Sequence, residues 1–201
     1  TDPELFKPPQ NRDPGRGFVI GSANRRLVAE KGDDLLLRAA AGLPGVWRLH
    51  IAGNGPFRPY LEQLAQELGI RERVQFDGAI PSEQMPAYLG QMDVLVLASR
   101  TLPNWKEQFG RVLVEAMACE TAVVGAHSGE IPQVVGDAGL IFPEDNADAL
   151  QAHLLRLLQS PTLRDELGSA GRQRVLERYT QTQIADQTVA VYRDMLSKAE
   201  Y

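Results

Sequence analysis

Apolar residues along this chain fall into short blocks separated by polar, glycine-rich turns, and the blocks switch between continuous runs and a helical spacing. Residues 17–21, with Phe18, Val19 and Ile20, read as a short buried strand that runs into a polar turn over 22–26. A helix follows over about 32–41, carrying Leu35, Leu36 and Leu37. Residues 46–52 predict a second strand, ended by Gly53-Asn54-Gly55-Pro56, and then a helix to about Leu68 with Tyr60, Leu61, Leu64, Ala65 and Leu68 on one face. Further strands are expected at 74–77, 94–97, 122–125 and 139–142, with short helices near 85–91, 112–118 and 132–135 between them. Residues 146–158, 161–179 and 182–198 read as three closing helices.

Strands that alternate with helices every 25 to 30 residues or so predict a parallel sheet covered on both faces, a doubly wound, Rossmann-like α/β domain of about six strands. Gly21, Gly53, Gly55, Gly78, Ser99 and Gly125 all lie at or just past the carboxyl ends of separate strands. Small residues thus gather along the edge where ligands of such sheets bind. Residues 1–16, with Pro3, Pro8, Pro9 and Pro14, read as an extended linker, and a linker at the start, without Met, suggests a fragment or processed piece.

The chemistry is expected in the stretch Glu107-Gln108-Phe109-Gly110-Arg111-Val112-Leu113-Val114-Glu115. If a helix starts near Gly110, the amides of Arg111 and Val112 are unpaired donors at the positive end of its dipole, suited to phosphate oxygens. Gly110 permits close approach. Glu107 then lies before that end and Glu115 one to two turns inside, about 8 Å of helix rise away plus the loop. Arg25, Arg26 and Lys31 form a local cation cluster that suits a diphosphate.

Composition narrows the classes. The chain has 201 residues, 43% of them hydrophobic, and a formal charge of -5 with no basic stripe, which argues against nucleic acid as the main partner. No run is long enough to span a membrane and no signal peptide opens the chain. The lone Cys119 excludes an intrachain disulfide. There is no Asp-x-Asp, and His50, His127 and His153 lack a metal-ligand spacing, so no catalytic metal is expected. A Gly-x-Ser-x-Gly elbow is absent too.

Five stretches fall together in the order and spacing of the family 4 (group 1) retaining glycosyltransferases: Arg26-Leu-Val-Ala-Glu-Lys31-Gly32, Ile51-Ala-Gly53-Asn-Gly55-Pro56, Val74-Gln-Phe-Asp-Gly78, the Glu107-x7-Glu115-Ala-Met-Ala motif, and Ser128-Gly-Glu-Ile-Pro-Gln-Val-Val135. The chain resembles the carboxyl-terminal, donor-binding half of their two-domain GT-B architecture over about residues 1–198. The resemblance implies that Arg26, Lys31 and Glu107 carry catalysis. Arg26 and Lys31 would stabilise the departing diphosphate, and Glu107 would face the donor sugar. It implies that Glu115 binds the ribose, that Gly110, Arg111 and Val112 touch phosphate with Phe109 beside them, and that Gly78, Ala79 and Ile80 frame the base. Gly53, Gly55 and Ser99 would complete the nucleotide site.

The implied donor is a UDP-, GDP- or ADP-sugar, with no permanently bound cofactor. The implied partner is an amino-terminal acceptor-binding domain, reached through the linker and through a crossover helix over 180–201 that follows the domain at 17–179. A cytoplasmic location is expected, at the inner membrane face only through that missing domain. Three departures stand out: Arg25 replaces a glycine, Ser128-Gly129-Glu130 stands where paired glycines are common, and residues 102–106, with Trp105, lengthen the loop before Glu107. A non-catalytic nucleotide-sugar-binding or regulatory module and one half of a nucleotide-sugar epimerase remain open.

Overall fold

The computed structural model describes residues 1–11 and 15–199, so Pro14 of the proline-rich start and the last two residues of the closing segment lie outside it. Six strands form one sheet: β1 (Phe18–Arg26), β2 (Trp47–Asn54), β3 (Val74–Gly78), β4 (Val94–Leu97), β5 (Ala122–Ala126) and β6 (Leu140–Phe142). Their order is β3-β2-β1-β4-β5-β6 and every pairing is parallel. Helices α1 (Asp33–Ala41), α2 (Arg58–Glu67), α3 (Met85–Gly90), α4 (Arg111–Ala118), α5 (Ile131–Val135), α6 (Ala147–Gln159), α7 (Pro161–Arg178) and α8 (Gln181–Ala199) follow in chain order.

The two-residue alternation of the strands divides the core. Val94 and Val96 of β4 face a cluster completed by Leu35, Leu36 and Leu37 of α1, Leu61 and Leu64 of α2, and Leu150 and Leu154 of α6. Leu95 and Leu97 face the other way, onto Leu89 of α3, Leu113 and Val114 of α4, Ile131 and Val134 of α5, and Val175 of α7. Burying a side chain of this size contributes about 1.5–3 kcal/mol, and both faces of β4 are covered, which is why its sequence is apolar without interruption.

The strand order reverses between β1 and β4. Connections leave these neighbours in opposite directions, and the gap between them at their carboxyl ends is where such sheets bind ligands. Among the described residues no helix is long and apolar enough to cross a membrane. Residues 1–11 hold no helix or strand, yet Phe6 is buried in the second cluster and Arg172 donates to its carbonyl at 3.2 Å.

One expected boundary is corrected. The polar residues after Gly21 do not turn; β1 continues through them to Arg26. Ser22 and Asn24 are buried in the strand because the Asp33 carboxylate accepts hydrogen bonds from Ser22 Oγ at 2.5 Å and from Asn24 Nδ2 at 3.1 Å. A buried polar group is tolerated where it has such a partner.

Candidate active site

At the switch point a cavity of about 480 Å³ opens between the ends of β1, β2 and β4 and the first turn of α4, within the range of small-molecule sites. Four local structures shape it. Gly32 takes a left-handed conformation (φ 70°) that closes the turn Ala29–Lys31 and starts α1. A Cβ there would lie 2.0 Å from the Ala98 carbonyl oxygen, so the turn is pressed against the end of β4 as only glycine permits. This close approach brings Lys31 to Glu107, Nζ to Oε2 at 2.7 Å.

Glu107 is held from three sides. Ser99 Oγ donates to the same Oε2 at 3.0 Å, and the Glu130 amide donates to the Glu107 carbonyl at 3.1 Å. Gly129 packs so closely on that carbonyl that a Cβ would stand 1.9 Å from it. The loop before Glu107 is tied down by Arg100, which pairs with Asp34 at 2.8 and 2.9 Å and donates to the Ala29 carbonyl at 2.7 Å. Within that loop the Trp105 ring lies 4.9 Å from Lys31 Nζ.

Gly110, again left-handed (φ 73°), starts α4 and offers no side chain to cap it. Arg111 and Val112, whose amides belong to the uncapped first turn, line the cavity with Gly110. One turn further Glu115 is paired with Arg111, Nε to Oε1 at 3.1 Å. Burial raises the Glu115 carboxyl above its ordinary pKa, and Arg111 pulls it the other way. Beneath the wall, burial pushes Asp33 up to about 6 against the hydrogen bonds from Ser22 and Asn24.

The structure thus gathers Lys31, Glu107, Glu115, Gly53, Ala79, Ile80, Gly110, Arg111 and Val112 in one lining. Ser99 stands one contact behind it, through Glu107. Four other candidates lie elsewhere. Arg25, not Arg26, lines the cavity; β1 carries an irregularity between Ala23 and Arg26, and Arg26 is exposed opposite Asn54. Phe109 turns outward, its ring edge-on to Tyr179 at 5.7 Å. Gly55 is a packing glycine, its Cβ position 2.2 Å from the Leu27 carbonyl oxygen, and Gly78 (φ 72°) makes the turn that leads into Ala79.

Residues that sequence reasoning passed over are Asn24, Ser82, Met85 and Leu97, all in the lining. Ser82 continues the loop after Gly78-Ala79-Ile80, which was the available signal, and Met85 opens α3 just beyond it. Asn24 had none, because its partner Asp33 comes nine residues later.

A family model described as Glycosyl transferases group 1 matches residues 6–174. The chain belongs to the group 1 glycosyltransferases.

Among relatives, the GDP-mannose-dependent alpha-(1-6)-phosphatidylinositol monomannoside mannosyltransferase of Mycolicibacterium smegmatis is 35% identical over 164 residues, which cover 77% of this chain and 42% of that protein. Among solved structures, sucrose-phosphate synthase from Thermosynechococcus elongatus superposes with a TM-score of 0.86 at 30% identity, over 98% of this chain and 51% of that one. Anabaena HepE in complex with UDP and glucose shares the fold, with a TM-score of 0.84 at 23% identity over 96% of this chain and 55% of that one. The six-stranded sheet is accordingly the Rossmann-like half of a GT-B architecture. This glycosyltransferase chain spans about half the length of the curated relatives it matches.

Proposed function

We propose that this glycosyltransferase domain binds a nucleoside diphosphate sugar and presents it for retaining transfer to an acceptor held by an amino-terminal domain. The observation that carries the reading is the meeting of Lys31 and Arg25 with two differently placed carboxylates, Glu107 and Glu115, around the uncapped start of α4. In this reading the diphosphate lies at the amides of Arg111 and Val112. Lys31 and Arg25 hold it from the cavity wall.

As the glycosidic bond breaks, negative charge grows on the diphosphate, and cations already in position stabilise it without reorganisation. The reading therefore requires no metal. Glu115 accepts hydrogen bonds from the ribose. Glu107 faces the sugar once the diphosphate has taken its place on Lys31. Ala79 and Ile80 border the base. Retention of configuration rests on the family resemblance, and cytoplasmic placement, with any membrane contact made through the acceptor side, belongs to the same reading.

One relative is GDP-mannose-dependent and one structural neighbour holds UDP, which supports a nucleotide-linked donor and leaves the base to experiment. Calorimetry with UDP, GDP and ADP is expected to show binding of one of them at one site, unchanged by EDTA. The 201-residue chain should turn over none of the matching nucleotide sugars. Failure to bind all three, loss of binding in EDTA, or transfer by this chain alone would overturn the reading.

A further inference from the structure

We propose that Trp105 is a positioning residue for Lys31, its ring face holding the ammonium at the cavity edge so that a diphosphate can replace Glu107 as the cation's anionic partner. This rests on the reading of the cavity given above. Lys31 Nζ stands between two groups: the Glu107 carboxylate at 2.7 Å and the Trp105 ring centroid at 4.9 Å. Trp105 is not itself in the cavity wall. Its reach into the site runs through Lys31.

The ring is presented by main chain rather than by chance packing. Leu102 and Trp105 form an antiparallel bridge, with the Leu102 amide donating to the Trp105 carbonyl at 2.7 Å and the return bond at 3.2 Å. Just before it, the Thr101 amide donates to Glu144 Oε2 at 2.7 Å, and Thr101 Oγ1 lies 2.9 Å from Ser128 Oγ. The loop that lengthens the chain before Glu107 is thereby fixed at one end by side chains and closed on itself by the bridge.

A lysine has four flexible torsions and, left free at a rim, would lose much of that freedom when it met a phosphate. An aromatic face removes part of the cost beforehand and adds no competing negative charge. Glu107 alone cannot do this, because a carboxylate repels the incoming diphosphate. With the ring in place, the ammonium keeps one partner while it exchanges the other, and Glu107 is released toward the sugar.

The test measures the affinities of UDP against UMP and of GDP against GMP in Trp105→Leu, Trp105→Phe, Lys31→Ala and the double variant Trp105→Leu/Lys31→Ala. The bridge is made by main-chain atoms, so the substitutions leave it intact. Trp105→Leu is expected to lower diphosphate affinity roughly two- to fivefold, the worth of a partly exposed cation–π contact, and to leave the monophosphate unchanged. Trp105→Phe, which keeps an aromatic face, should restore most of the loss. Trp105→Leu should add nothing when Lys31 is already Ala.

Equal losses on mono- and diphosphate, a Phe variant as weak as the Leu variant, or a Trp105 effect that persists without Lys31 would each overturn the positioning role. If Lys31→Ala abolishes the preference for diphosphate while Trp105→Leu behaves as wild type, only the role of Trp105 falls. If Lys31→Ala leaves that preference intact, the reading of the cavity falls and the positioning role with it.

Discussion

Glu107 and Glu115 are the same side chain in opposite electrostatic settings, and their substitution should separate the two ends of the ligand. Glu107 is bonded to the Lys31 ammonium and the Ser99 hydroxyl; Glu115 is mostly buried beside an exposed Arg111. Glu115→Ala should weaken the free nucleotide and the nucleotide sugar alike, because both carry the ribose. A hydrogen bond to a charged group is worth about 1.5–3 kcal/mol, so the loss is roughly ten- to a hundredfold. Glu107→Ala should act differently. It removes the carboxylate paired with Lys31, so affinity for the free diphosphate should hold or rise slightly while affinity for the sugar-bearing donor falls. Paired titrations of both variants with nucleoside diphosphate and matched nucleotide sugar check this. Equal losses on both ligands for both variants would mean that the orientation is wrong.

At the scale of elements, the glycines show which turns the fold cannot relax. Gly32 and Gly69 share a left-handed φ of 70°, but the Gly32 Cβ position lies 2.0 Å from the Ala98 carbonyl oxygen and that of Gly69 meets nothing within 4 Å. Gly69→Ala should cost about 1–2 kcal/mol for the conformation alone. Gly32→Ala should cost about 2–5 kcal/mol, since β4 and the turn before α1 must part as well. It should also weaken diphosphate binding, because Lys31 precedes it. Denaturant midpoints of the two variants provide the comparison, and equal midpoints would show that the contact does not constrain the turn. The same elements mark what could be read from the sequence. Strand β4 and helix α4 were legible to the residue or nearly so, because a fully buried strand and a glycine-started helix each have a local signature. The end of β1 was not, since Ser22 and Asn24 look like a turn until Asp33 is folded against them. Phe109 was equally opaque: its aromatic neighbour Tyr179 is 70 residues away in the chain, and no local pattern tells an outward phenylalanine from one that lines a site.

At the scale of the whole molecule, the cavity is finished and the last helix is not. Along α8, Ile184, Val191, Tyr192, Met195 and Leu196 share an apolar side at helical spacing, and Leu196 keeps 68% of its surface exposed. Strands β4 and β5, by contrast, are buried throughout. Such a stripe lowers its free energy either by meeting another copy or by letting the helix fray, since few apolar contacts oppose local opening. Sedimentation velocity should therefore show association that grows with concentration, and amide exchange should run fastest after about Tyr179 and slowest in β4 and β5. Replacing Tyr192 and Leu196 together by Lys should suppress the association and leave the nucleotide affinity unchanged, because neither residue is part of the cavity lining. A monomer at all concentrations, with α8 amides protected as strongly as those of β4, would show that the helix is stable with its apolar side in water and needs no cover.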